Sequence, residues 1–243
     1  MTTDQVPIDD PEALRRILTN TEVLLLDFDG PICSVFAGIP AHYVATQLCG
    51  VLIDGGHTNL PLDIEKTEDP FDVFRYAATL GRDEARHVEE ALRAHEVEAI
   101  FAASPTSGAH KLIRAWHQFG RTLGVVSNNS EKSIHAYLRM HDLMNCVAFV
   151  VGRSTSDASE LKPNPHMLNV AVHTARTPPS RCTLIGDSAS DVVAAQTAGV
   201  TIVGYANKPR KIPRFNTLGA DLIITRLPDP QLYHSFRKVD YEP

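Results

Sequence analysis

Six short apolar runs, at residues 23–27, 123–127, 147–151, 183–187, 201–205 and 222–225, alternate along the chain with segments of helical periodicity. Each run is too short and too apolar for a half-exposed ribbon, and strands covered on both faces by crossing helices read this way. The alternation predicts the α/β class, with a Rossmann-like parallel sheet between layers of helices. In such sheets ligands bind outside the carboxyl ends of the strands, so chemistry is sought first in the residues that follow the apolar runs.

Helix punctuation supports the pattern. Asp10-Pro11 reads as an N-cap and first helical residue, with Leu14, Ile17 and Leu18 on one face. Ser190 is expected to cap a helix through Ala195 that stops at Gly199, where a glycine accepts a left-handed backbone. Trp116 shares a helical face with Ala109, Leu112 and Ile113, which makes it a core residue rather than a stacking platform. Between residues 36 and 104 the rhythm changes to at least two amphipathic helices with no convincing pair of strands. Asp69-Pro70 opens one, carrying Phe71, Phe74 and Ala78 and ending at Gly81; Asp83 opens the next, with Ala85, Val88 and Leu92 facing inward. The chain is therefore expected to divide into an α/β core, residues 1–33 and 105–243, and a helical insert, residues 34–104.

With 243 residues there is room for one large core and such an insert. A formal net charge of -6 argues against a nucleic-acid duplex or an anionic membrane as partner, because both attract basic surfaces. A small anionic substrate needs only a local positive site. Cys33, Cys49, Cys146 and Cys182 fall in no Cys-x-x-Cys spacing and are expected to be reduced thiols, Cys33 among them as a small core residue. Residues 1–10 are acidic without an apolar signal core, and no stretch approaches the ~20 apolar residues of a membrane helix, so a cytoplasmic protein is expected.

Four segments carry candidate chemistry. In Leu26-Asp27-Phe28-Asp29-Gly30 the two acids share one side of a strand end while Phe28 turns to the core. Alone this reads equally as a polar turn; a calcium loop is disfavoured, since its glycine belongs at the sixth position and Gly30 is fourth. Gly186-Asp187-Ser188-Ala189-Ser190-Asp191 follows another run, and Asp187 there can join Asp27 on a hard cation, with Asp191 on its own only a helix-dipole residue. Ser127, Asn128, Asn129 and Ser130 stand where a strand meets a helix. They supply hydroxyl, amide and backbone N–H donors for a phosphate oxygen, or an ordinary N-cap. Lys162, before Pro163-Asn164-Pro165, is either a surface charge or the cation that holds phosphate among these acids.

The order and content of these segments resemble the haloacid dehalogenase superfamily, most closely in Lys-Pro-x-Pro and in Gly-Asp-Ser-x-x-Asp-Val. The resemblance implies a phosphatase with a helical cap, in which Asp27 attacks phosphorus and Asp29 serves as general acid and base. It implies that Ser127, Asn128 and Lys162 hold the phosphoryl group, and that Asp27, the Asp29 main-chain carbonyl and Asp187 bind Mg2+. Asp191 would orient Lys162 or a metal-bound water. The substrate expected is a small phosphorylated metabolite. Asp29 disfavours dehalogenases and phosphonate hydrolases, while a sugar phosphomutase and a non-catalytic phosphoester-binding protein remain as alternatives. The loop departs from the usual pattern at Pro31-Ile32 and Ser34. His42 and Arg75, and less so His57 and Arg82, are the cap residues assigned to the leaving group, and Lys208 in the basic loop 205–211 is expected to flank the cleft.

Overall fold

The computed structural model describes residues 6–229; residues 1–5 and 230–243, at the ends of the expected core segments, lie outside the described residues. The strands are β1 (Val23–Leu26), β2 (Cys33–Ser34), β3 (Ser104–Pro105), β4 (Thr122–Ser130), β5 (Phe149–Arg153), β6 (Cys182–Gly186), β7 (Thr201–Tyr205) and β8 (Leu222–Ile224). The helices before β4 are α1 (Pro11–Asn20), α2 (Ala41–Asp54), α3 (Leu62–Glu65), α4 (Pro70–Leu80), α5 (Arg82–Ala99) and α6 (Ala109–Gln118). Those after it are α7 (Glu131–Met140), α8 (His166–Ala175), α9 (Ala189–Ala198) and α10 (Ile212–Leu218).

Six strands form one sheet in the order β5-β4-β1-β6-β7-β8, and every neighbouring pair is parallel. The chain builds β4 and β5 on one side of β1, then crosses back to build β6, β7 and β8 on the other. That reversal beside β1 opens a crevice at the carboxyl edge of the sheet. Leu25 faces the layer that holds Leu168 and Val192, whereas Leu24, Leu26 and Phe28 face Leu18, Ile113, Trp116 and Tyr137. The runs are apolar throughout because both faces are covered. Trp116 is buried and donates from its indole nitrogen to the Thr122 carbonyl at 2.9 Å, as a core residue should.

All six expected core strands form, with β4 running three residues further, to Ser130. Asp10 caps α1, accepting from the amides of Glu12 and Ala13 at 2.9 and 3.1 Å. Asp10→Ala is expected to lower stability by about 1 kcal/mol, read as a shift in urea midpoint with an unchanged slope. The cap of α9 differs from the expectation. Ser188, not Ser190, accepts from the Asp191 amide, and the Asp191 carboxylate accepts in return from the Ser188 amide at 3.0 Å. This reciprocal capping box starts the helix at Ala189 and draws Ser190 inside it. Gly199 ends α9 in the left-handed region, φ 71°.

Between β2 and β3 lie four helices, α2 to α5, of which α2, α4 and α5 pack on one another. Asp69 caps α4, and Gly81 separates it from α5. β2 and β3 pair antiparallel, so the segment of four helices begins and ends side by side. No described helix is long and apolar enough to cross a membrane.

Candidate active site

Asp27 and Asp187 follow the carboxyl ends of β1 and β6, Ser127 lies in the last half of the adjacent β4, where its register with β5 shifts, and Lys162 enters from the segment after β5. Together they line a cleft of about 310 Å3, whose other wall carries Phe71 and Arg75 of α4. Gly30 makes the convergence possible. Its φ is +104°, and a Cβ there would lie 2.3 Å from the Asp187 carboxyl, so only a glycine lets the two loops approach.

Lys162 is buried and bridges two acids, meeting Asp27 Oδ1 at 3.0 Å and making a still closer contact with Asp191 Oδ1. It also donates to the Val126 carbonyl at 3.2 Å. Burial works against the ammonium, but Asp191 and Asp27 outweigh it and hold the lysine above its usual range. It stays charged. Burial, then the neighbouring Asp191, raises the Asp27 carboxyl to about 7 against the pull of Lys162. Burial raises Asp29 to about 6, with the Val35 amide, 2.9 Å from Oδ1, working the other way. Asp187 is raised to about 6, chiefly by burial, and Lys211 opposes the shift.

Carboxylate oxygens of Asp27, Asp187 and Asp191 lie within 4.8 Å of one another, an all-oxygen donor set that suits a hard divalent cation. At full ionisation Asp27, Asp29, Asp187 and Asp191 face Lys162 and Lys211, which leaves two negative charges for such a cation to offset. The Asp29 carboxylate stands outside this cluster, bonded to Val35; the contact expected from that residue was its main-chain carbonyl.

Ser127 lines the cleft and donates from Oγ to Asn129 Oδ1 at 3.2 Å. Asn128 also lines it, but both ends of its amide grip the Lys162 peptide: Oδ1 accepts from Lys162 N at 2.8 Å, and Nδ2 donates to Lys162 O at 3.2 Å. Asn128 thus ties the end of β4 to the lysine. The expected cap residues separate. Arg75 reaches the cleft, paired with Asp72 at 3.2 Å. His42 is exposed on α2 and is absent from the cleft lining, His57 pairs with Glu84 at 3.2 Å, and Arg82 borders a different cavity. Lys208 is exposed too; Lys211, at the end of the same basic loop, is the residue that meets Asp187. The loop was recognisable as basic, yet spacing alone does not say which of its cations a short turn brings back. Cys33 is buried, and burial pushes its thiol far up, so it is a core group; all four cysteines are free.

Sequence reasoning missed a buried ionic cluster behind the cleft, in which Arg153 of β5 pairs with Glu89 and Glu96 of α5. Two acids on one helix look like solvated charges, and only the packing of α5 against β4 and α7 reveals otherwise.

A parallel sheet thus gathers four acids and a buried lysine at its carboxyl edge, where α/β proteins of this doubly wound class bind ligands. The sequence profile of the haloacid dehalogenase-like hydrolases matches residues 69–205, and the chain belongs to that family. A phosphoglycolate phosphatase of Vibrio vulnificus (strain YJ016) is 33% identical over 92 residues, which cover 38% of this chain and 40% of the relative. A bifunctional riboflavin kinase/FMN phosphatase of Arabidopsis thaliana is 28% identical over 126 residues, covering 51% of this chain and 32% of the relative. The match therefore spans less than half of either relative. Among solved structures, a haloacid dehalogenase-like family protein of Streptococcus pneumoniae superposes with a TM-score of 0.60 at 16% identity, covering 90% of this chain and 99% of the other. A hydrolase of the same family from Deinococcus radiodurans R1, with bound phosphate and sodium, gives 0.55 at 22% identity, with 89% and 95% covered. At these identities the likeness is one of fold.

Proposed function

We propose that the protein is a Mg2+-dependent phosphatase that hydrolyses a small phosphate monoester through an aspartyl phosphate on Asp27. The observation that carries this reading is the buried Lys162 ammonium held between Asp27 and Asp191 in the lining of an acid-lined cleft. A lysine so placed neutralises the acids in the resting site and the phosphoryl oxygens during transfer. Asp27, Asp187 and the Asp29 carbonyl would hold Mg2+, with Asp191 orienting the lysine. The bound ion would supply the positive charge that lets an anionic carboxylate approach an anionic ester.

In the first step an Asp27 oxygen attacks phosphorus, the bond to the ester oxygen breaks, and Asp29 gives that oxygen its proton. In the second, Asp29 takes a proton from water, whose oxygen attacks phosphorus and releases phosphate and the Asp27 carboxylate. Ser127 and the end of β4 orient the phosphoryl oxygens, and Asn128 contributes by fixing the Lys162 peptide. Segment 34–104 acts as a cap, with Arg75 and Phe71 facing the leaving group. The named phosphatases among the relatives support this direction.

The test is phosphate release from p-nitrophenyl phosphate with Mg2+ and with excess chelator. Turnover is expected only with the metal; an undiminished rate in chelator contradicts the cofactor assignment. Asp29→Asn is expected to reduce kcat by about 10²–10⁴-fold. The loss should be greater for an alkyl ester than for the aryl ester, because a poor leaving group needs the proton more. Equal losses would remove Asp29 from the acid role.

A further inference from the structure

The ionic cluster behind the cleft joins the helical segment to the loop that carries Ser127. Arg153, buried at the end of β5, donates from Nε to Glu89 Oε1 at 3.3 Å and from Nη2 to Glu96 Oε2 at 2.9 Å. Its Nη1 donates both to Glu96 Oε1 at 3.1 Å and to the Asn128 carbonyl at 2.8 Å. Arg93, one turn along α5, meets Glu89 at 3.1 Å, so the cluster balances two acids against two guanidinium groups. The Arg153 guanidinium also lies 5.7 and 5.6 Å from the ring centres of Phe71 and Phe74 on α4.

Glu96 does more than neutralise Arg153. It is wholly buried, and each of its oxygens accepts a second bond from the loop: Oε1 from Asn129 Nδ2 at 3.1 Å, and Oε2 from the Ser130 amide at 2.9 Å. Asn129 passes the constraint on, since its Oδ1 accepts from Ser127 Oγ. The register between β4 and β5 shifts between Val126 and Ser130, over these same residues. Sheet pairing therefore does not hold the loop in regular register, and the carboxylate substitutes for it. Phe71 rests on the same guanidinium and lines the cleft, so the wall opposite the loop shares this anchor.

We propose that Glu96 is a positioning residue for the phosphoryl-binding loop, setting Ser127 through Asn129 and Ser130, and that Arg153 fixes this arrangement to α4 and α5. The anchoring follows from the geometry; what Ser127 is positioned to do rests on the phosphatase reading. Glu96→Gln tests it, because the amide keeps the volume and one acceptor but turns an NH2 group toward donors. Glu89→Gln is the control, since Glu89 touches Arg153 and Arg93 without reaching the loop. Asn129→Ala is the second variant: it cuts the link to Ser127 and keeps the pair of Glu96 with Arg153.

The readouts are amide hydrogen exchange over residues 127–130, kcat and KM for p-nitrophenyl phosphate, and Ki for inorganic phosphate. Glu96→Gln should speed exchange at Ser130, lower kcat/KM and raise the phosphate Ki, each by about tenfold or more, while Glu89→Gln stays within about twofold in all three. Asn129→Ala should reproduce the kinetic losses with Ser130 still protected. Wild-type exchange and wild-type Ki in Glu96→Gln overturn the proposal. So does wild-type kinetics in Asn129→Ala, which decides the matter if Glu96→Gln does not fold. A wild-type protein that neither binds nor releases phosphate, with Ser130 still loosened by Glu96→Gln, contradicts the phosphatase reading and leaves the anchor standing.

Discussion

Asp27→Asn is expected to lower kcat for a phosphate monoester by at least about 10³-fold while the protein stays folded. The substituted oxygen can still accept from the Phe28 amide, which the carboxylate does at 2.8 Å. Lys162 keeps its contacts with Asp191 and with the Val126 carbonyl, so no buried charge loses every partner. What disappears is the anionic oxygen that attacks phosphorus and one donor of the acid cluster. Steady-state kinetics with saturating Mg2+, together with a melting curve, separate the two effects. A loss below about tenfold, with a normal melt, would mean that another group attacks.

Arg153→Met should lower stability by about 3–5 kcal/mol, although it lies away from the cleft. The side chains of Arg153, Glu96 and Glu89 are 1%, 0% and 4% exposed, so removing the cation leaves the Glu96 carboxylate buried without a counter-charge and Glu89 with Arg93 alone. It also opens the Asn128 carbonyl and takes the guanidinium from beneath Phe71 and Phe74. Methionine retains much of the volume, which keeps the cavity contribution small. Urea unfolding measures the difference directly. A change under about 1 kcal/mol would mean that the glutamates find other partners, and that the cluster is not a structural anchor.

The parts of the fold visible in the sequence were those governed by local pattern. Runs such as 183–187 and 201–205 are apolar because their strands are buried on both faces, and their ends mark the edge where Asp27, Ser127 and Asp187 meet. Asp10-Pro11 and Asp69-Pro70 foretold helix starts because capping is a contact between near neighbours. Long-range contacts escaped. β2 and β3 have two residues each, too few for alternation, and their pairing joins Cys33 to Pro105. Lys211 was indistinguishable from Lys208 until the turn Pro209–Lys211 directed one of them to Asp187. Glu89 and Glu96, two turns apart on α5, look like a solvated stripe, and nothing local says that Arg153 will be folded onto them. His42 illustrates the opposite limit: it lies near Asp27 in sequence, yet on α2 it is exposed and outside the cleft lining.

Phosphorylation of Asp27 during turnover can be trapped chemically. Wild-type protein quenched in acid during steady-state hydrolysis, reduced with borohydride and mapped by peptide mass spectrometry should show Asp27 converted to its alcohol, which reports an acyl phosphate there. Asp29, Asp187 and Asp191 should be unmodified in the same digest. Active enzyme that yields no reduced residue at position 27, or yields it at another of these acids, would contradict the account.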